Sequence, residues 1–311
     1  MSSPKVFVIG VGRSGTSLLQ SMLASHSTLA FPPETSFFRR YVSKKVLEKT
    51  WKKEGVEGVQ KVIDSDSQLQ RLSVDLKTIT RDFGNFKAGT RDAQCYQAIL
   101  KAECERQGKI FAGDKDPRSI EYIPLLHHYW PDLHVIHIIR DPRDVLASKK
   151  KAAWSRDKNS LYHILANRVQ MKIGCKDGVS YFGRNYHEIT YSGLISSPEE
   201  TLRRLCDSLE LPFEPAMLNY RDTAEGLVSH EEMSWKKETM QPVNTSNTGK
   251  WKKELTSFEA AVTEVTCREG MNKSGEVASG AVSKLPVITW FFAYGAGFLV
   301  NLAAFIYQLK R

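Results

Sequence analysis

The sequence predicts an α/β fold, a central parallel sheet flanked by helices, followed by a C-terminal transmembrane helix. Three observations predict it. Short apolar runs alternate with helical stretches, the pattern of strands joined by helical crossovers. The first run opens "VFVIGVGRSGTSLLQSML", Val6 to Leu23, in which a strand feeds a glycine-rich loop and then a helix. Finally, "LPVITWFFAYGAGFLVNLAAFIYQL", Leu285 to Leu309, carries no charge in 25 residues. That is about 37 Å of helix against roughly 30 Å of hydrocarbon.

Each element follows from its local pattern. The helix after "VFVI" starts near Ser14 and repeats Leu18, Leu19, Met22 and Leu23 at helical spacing. Residues 39–107 read as mostly helical and polar, with the lysines of 44–53 on a solvated helix face. "KIFAGDK", 109–115, is a short strand ending in a charged turn. "IEYIPLLHHYWP" is a helix stopped by Pro131. "HVIHII", 134–139, is the nearly continuous apolar run of a buried parallel strand. It ends in "RDPRDVLAS", where Asp144 can cap the next helix. "HEITY", 187–191, is a further strand, and "SSPEE" starts a helix from Ser197 to Leu209. Residues 269–284 are rich in Gly, Ser and Ala and read as a flexible linker. The expected organisation is a folded domain over 1–268, a linker over 269–284 and an anchor over 285–309. Trp290 and Tyr307 suit interfacial belts, and Lys310 and Arg311 can reach headgroups.

Composition narrows the partners. A net charge of +9 and a pI of about 9.2 favour an anionic partner: nucleic acid, a membrane surface or a polyanionic cofactor. The five cysteines show neither Cys-x-x-Cys nor histidines at zinc-ligand spacing, so they read as packing residues and argue against a zinc site or a disulfide framework. A strand from Lys5 leaves no room for a signal peptide. A tail-anchored protein of the endoplasmic reticulum or Golgi membranes is expected, its folded domain toward the cytosol.

The loop after the first strand fits three phosphate readings. Gly10, Gly12 and Gly15 match a dinucleotide fingerprint, with Glu34 placed 19 residues on as the ribose ligand. Gly10, Gly15 and Ser17 match a nucleoside triphosphatase loop, with Thr16 where the lysine belongs. The third reading is a metal-independent cradle for one terminal phosphate. In it the N–H groups of residues 12–17 face the anion, Ser14, Thr16 and Ser17 add hydroxyls, and Arg13 adds charge. This reading needs basic anchors elsewhere. "IIRDPRDVLAS" supplies them, with Arg140 at a strand end and Ser148 about two turns into the next helix. Two cradles on one sheet edge suit a nucleotide phosphorylated at two positions.

"GVGRSGTSLL", "PPETSFF", "GDKDP", "HVIHIIRDPRDVLAS", "ITYSGLISSPEETLRRLCDSLELPF" and "PVNTSNTGKW" occur in this order. In these motifs, over roughly residues 5–255, the chain resembles the sulfotransferases that depend on 3′-phosphoadenosine 5′-phosphosulfate (PAPS). The tyrosylprotein and bacterial-type branch is the nearest. The resemblance implies a three-layer P-loop-like fold and a PAPS-dependent catalytic domain that needs no metal. Gly12, Arg13, Ser14, Gly15, Thr16 and Ser17 would hold the 5′-phosphosulfate. Arg140 and Ser148 would hold the 3′-phosphate, Tyr191 would lie near the adenosine, and Lys250 would return to the 5′ side. Glu34 matches the catalytic glutamate and Lys115 the lysine near the transferred group.

The chemistry agrees: an attacking hydroxyl needs a carboxylate base, and a lysine can stabilise charge on the departing oxygen. The local alternative pairs Lys115 with Asp114 or Asp116 instead. The family's tyrosylprotein members carry another arginine shortly after the Ser148 position. Here the stretch is "KKKAAW", with Lys149, Lys150 or Lys151 as substitutes. The expected partners are PAPS, a hydroxyl-bearing acceptor (protein tyrosine, glycan, lipid or small alcohol), the membrane and a second copy of the chain, with no nucleic acid. Residues 39–107 and 220–245 would shape the acceptor pocket. A P-loop-type small-molecule kinase and a non-catalytic, membrane-tethered nucleotide-binding protein are the alternatives.

Overall fold

The computed structural model describes residues 4–155, 157–228, 240–284 and 286–309. Five parallel strands form one sheet in the order β2-β3-β1-β4-β5. They are β1 (Val6–Gly10), β2 (Leu29–Ala30), β3 (Phe111–Lys115), β4 (His134–Ile139) and β5 (Tyr186–Thr190). The longer helices are α1 (Thr16–Ala24), α2 (Val46–Asp64), α3 (Arg91–Gln107), α4 (Ile123–Tyr129), α5 (Pro142–Lys151), α6 (Ser160–Phe182), α7 (Pro198–Ser208), α8 (Ser257–Thr266) and α9 (Val287–Leu309).

The central strands are apolar in succession because both faces of the sheet are covered. Phe7, Ile9 and Val135 point into a core with α2, α3 and α4. Val6, Val8, Ile136 and Ile138 point the other way, onto α1 and α7. The parallel register sets Gly10 beside Ile138 and Val8 beside Lys115, so β1, β3 and β4 end along one edge. The α/β expectation therefore holds, with β2 as a two-residue strand too short to leave a pattern.

Several local expectations change. Helix α1 begins at Thr16, not Ser14, because Arg13 (φ 79°) and Gly15 (φ 96°) occupy the left-handed region. The cap of α5 is Asp141, whose carboxylate accepts the Arg143 N–H at 2.8 Å. Asp144 instead accepts the N–H groups of Gly249 (2.8 Å) and Trp251 (3.0 Å), tying a distant loop to the helix. Residues 269–284 are not a free linker. Arg268–Ser274 is helical, and Ser279 donates to Glu264 through both its N–H and its hydroxyl.

Buried Arg143 organises that corner. Its guanidinium donates to Asp141, Glu264 and Glu276 and stacks 4.0 Å over Trp251. Glycine- and serine-rich composition suggested mobility, but carboxylates and an arginine far along the chain override it.

The transmembrane expectation is not supported. Among the described residues no helix is long and apolar enough to cross a membrane. The described part of α9 lies along the domain, with Ala293 and Val300 buried in the same cluster as Ala261 of α8 and Ile164 of α6. Lys310 and Arg311 fall outside the described residues, as do the side chains of Trp290 and Tyr307.

Removing the Arg143 fork leaves Asp141 and Glu264 buried without their cation. Arg143→Met is expected to lower unfolding stability in urea by about 3–5 kcal/mol. A loss below about 1 kcal/mol would show that the network does not hold this corner.

Candidate functional site

The carboxyl ends of β1, β3 and β4 open into a cleft of about 320 Å³. One wall is the loop after β1. Ser14 N–H closes a turn onto Val11 O at 3.0 Å, and α1 starts directly behind it. The first-turn N–H groups of α1 have no acceptor within the helix and face anions by default. Gly12, Arg13, Gly15, Thr16 and Ser17 all line the cleft. Ser14 does not; it is buried beneath the loop. Gly15 is required twice over. Its φ is left-handed, and a Cβ there would lie 2.4 Å from Cδ2 of Tyr191.

The opposite wall is built by Arg140, just past β4. Its guanidinium lies 4.4 Å over the Tyr191 ring and donates to the carbonyls of Arg13 (3.1 Å) and Asn247 (2.5 Å). Its Nε is buried with no hydrogen-bond partner, a donor left for an anion. Arg13 Nε donates to Ser148 Oγ at 2.9 Å, across 135 residues of sequence. The two cradles read separately from the sequence are thus one connected wall.

The lysines after Ser148 do not join it. Lys150 pairs with Glu259 (2.6 Å) and Lys151 with Glu254 (2.5 Å). Lys149 is buried, and desolvation pulls its ammonium down to about 8. Lys250 starts the short helix Trp251–Glu254 and does not line the cleft.

The floor holds the proposed chemistry. Gln20 donates to Pro32 O at 2.9 Å, fixing the segment that ends in Glu34. Lys115, the last residue of β3, is fully buried, and its ammonium is bonded to the Glu34 carboxylate, which is 22% exposed. The lysine therefore pairs with Glu34, not with its neighbours. Asp114 instead accepts the Tyr96 hydroxyl, and burial pushes its carboxyl up to about 7. Asp116, also raised by burial, is met by Arg39 at 3.1 Å.

Arg39 falls within the 39–107 stretch expected at the acceptor pocket, while Arg118, Trp154 and Asn247 are lining residues to which sequence reasoning gave no role. Arg39 and Arg118 each sit a few residues from a recognised motif, but their direction is set by tertiary packing. Part of the expected acceptor region, 229–239, lies outside the described residues.

The arrangement offers cations and N–H donors at one end of the cleft and a carboxylate with a buried cation at the other. Comparison with known proteins gives the family and the fold. The model of the sulfotransferase family matches residues 4–215, more than half of the chain. Protein-tyrosine sulfotransferase A of Caenorhabditis elegans is 23% identical over 255 residues, 80% of this chain and 61% of that protein. The chain spans less than two thirds of the length of this and the other curated relatives first matched. Among solved structures, the sulfotransferase domain of the Synechococcus PCC 7002 olefin synthase shares the fold at TM-score 0.54 and 21% identity, over 80% of this chain and 87% of that one. The sulfotransferase domain from the curacin biosynthetic pathway does so at TM-score 0.55 and 19% identity, over 89% and 99%.

Gly15→Ala is expected to destabilise the fold by about 1–3 kcal/mol through backbone strain and the Tyr191 clash. Adding Tyr191→Ala should be less than additive, because the clash is already gone. Full additivity in urea denaturation would show that ring and loop are independent.

Proposed function

We propose that this chain, which belongs to the sulfotransferase family, moves a sulfuryl group from PAPS to a hydroxyl-bearing acceptor. The observation that carries the proposal is Glu34, bonded to the buried Lys115, in a cleft lined by Arg13, Arg140 and Tyr191, with Ser148 bonded to Arg13 behind that lining. A nucleotide with phosphates at both its 5′ and 3′ positions fits these residues. The unpartnered Arg140 Nε and the Ser148 hydroxyl suit the 3′-phosphate. The loop N–H groups with Arg13, Thr16 and Ser17 suit the 5′ end. Tyr191, already stacked by Arg140, offers an apolar surface beside the loop.

PAPS supplies an activated sulfuryl group whose bridging oxygen leaves with the nucleotide. The residues of the chain do the rest. Glu34 accepts the acceptor's hydroxyl proton as its oxygen bonds to sulfur. Lys115, bonded to Glu34, would bring its ammonium to the negative charge growing on the departing oxygen. Both are held by rigid elements, Lys115 by β3 and Glu34 by the Pro32–Pro33 segment pinned to Gln20, so little reorganisation is needed. Arg39 and Arg118 also line the cleft, and in this reading they would stand near the acceptor. The curated relative named above acts on protein tyrosine by its name, and a tyrosine hydroxyl is one acceptor that this chemistry admits.

Glu34→Gln should lower turnover with PAPS by about 10²–10⁴-fold, while leaving the affinity for adenosine 3′,5′-bisphosphate within a few-fold of the parent. Arg140→Ala should weaken that affinity by about 10- to 100-fold, the value of charge-assisted bonds to phosphate. Unchanged turnover in Glu34→Gln would remove the glutamate from the mechanism.

A further inference from the structure

Under α6, on the sheet face away from α1, three ligand-type side chains converge that the cleft does not use. His137 of β4 and Glu188 of β5 are cross-strand partners in register. Cys175 comes down from α6. A ring nitrogen of His137, the Cys175 sulfur and a Glu188 oxygen all lie within 4.8 Å of one another. Two of these side chains carry orphaned atoms. His137 Nε2 and Glu188 Oε1 are buried with no hydrogen-bond partner, and His137 is fully enclosed. An unmet buried polar atom costs about 1–3 kcal/mol, and two beside one thiol are what a bound cation would relieve.

The surroundings look built for this. Gly174 lets α6 pass close to Ile120 and His137, since a Cβ there would sit 2.5 Å from Ile120 Cδ1 and 3.1 Å from His137 Cε1. The other ring nitrogen of His137, Nδ1, is held by the Tyr186 hydroxyl at 2.6 Å, which fixes the ring and leaves Nε2 for the cluster. Lys273 Nζ holds Glu188 Oε2 at 2.5 Å, which leaves Oε1. Outer partners that orient an imidazole and a carboxylate in this way are typical of metal sites.

We infer that His137, Cys175 and Glu188 form a binding site for a divalent cation of the zinc class, with a fourth position open to water. Mixed nitrogen, sulfur and oxygen donors select such an ion over magnesium or calcium. Tetrahedral zinc needs its donors about 3.5 Å apart, so the cluster must contract. Glu188, 23% exposed, has room to move inward. On binding, the Cys175 S–H bond breaks, its proton leaves to solvent and the sulfur bonds to the metal. Thiolate and carboxylate then offset the ion's two charges, and the Lys273 ammonium on the carboxylate leaves the group with one positive charge. The site would clamp β4, β5 and α6 together three residues below Arg140. It is independent of the sulfuryl-transfer reading, because none of its three residues lines the cleft.

The test uses tag-free full-length chain purified with zinc and then dialysed free of loose metal. The expected result is about one equivalent of zinc per chain by mass spectrometry and a rise in melting temperature on adding zinc to stripped protein. Cobalt(II) exchange should give a thiolate-to-metal charge-transfer band. Cys175→Ser should lose the band, and Glu188→Gln should weaken retention. Wild-type protein that keeps no zinc and shows no thiolate band would overturn the site, as would zinc content in both variants equal to that of the wild type. If Cys175→Ser does not fold, the wild-type cobalt spectrum decides alone.

Discussion

The cleft depends on one close contact: the backbone of Gly15 lying against the ring of Tyr191. With no side chain at Gly15, the loop after β1 can lie flat on that ring. Arg140 can then cover the ring's other neighbourhood and reach back to the Arg13 carbonyl. Arg13 in turn reaches Ser148 on α5. Two turns 127 residues apart in the sequence become one surface. Arg140 donates to two carbonyls, neutral groups that bring no counter-charge of their own. An anion with two separated phosphates is the complement such a surface favours.

The rest of the fold serves that surface by burying charge in paired form. Lys115 enters the core with Glu34 as its partner, and Arg143 with Asp141 and Glu264. Such pairs are weak sources of stability, but each leaves a large penalty if one partner is lost. They therefore fix geometry. Arg143 anchors the segment after α8, while Asp144 anchors Gly249 and Trp251, and these place Asn247 over Arg140.

What was legible in the sequence was local. The strand runs and the glycine loop are each written within a dozen residues, and the structure brings the loop together with Arg140 and Ser148. Partner choice was not legible. Asp141 and Asp144 lie three residues apart in one motif; Pro142 at the first helical position makes Asp141 the cap of α5, and the partners of Asp144 lie in a loop more than a hundred residues on. The three lysines after Ser148 looked interchangeable, yet burial takes one and glutamates of later elements take two. Residues 269–284 have the composition of a linker, and an arginine more than a hundred residues earlier folds them down. The uncharged stretch from Leu285 has the length of a span, but the packing of Ala293 and Val300 against the domain cannot be read from hydropathy.

The central claim is that the cleft reads a nucleotide phosphorylated at both ends and does so without magnesium. Titration calorimetry of the wild-type chain with adenosine 3′,5′-bisphosphate, adenosine 5′-phosphate and Mg-ATP tests it most directly. The bisphosphate should bind at least about 10-fold more tightly than the 5′-phosphate, the value of the added charge-assisted bonds, and magnesium should not improve its binding. Equal affinity for the two adenosine phosphates, or tighter binding of Mg-ATP, would contradict the account.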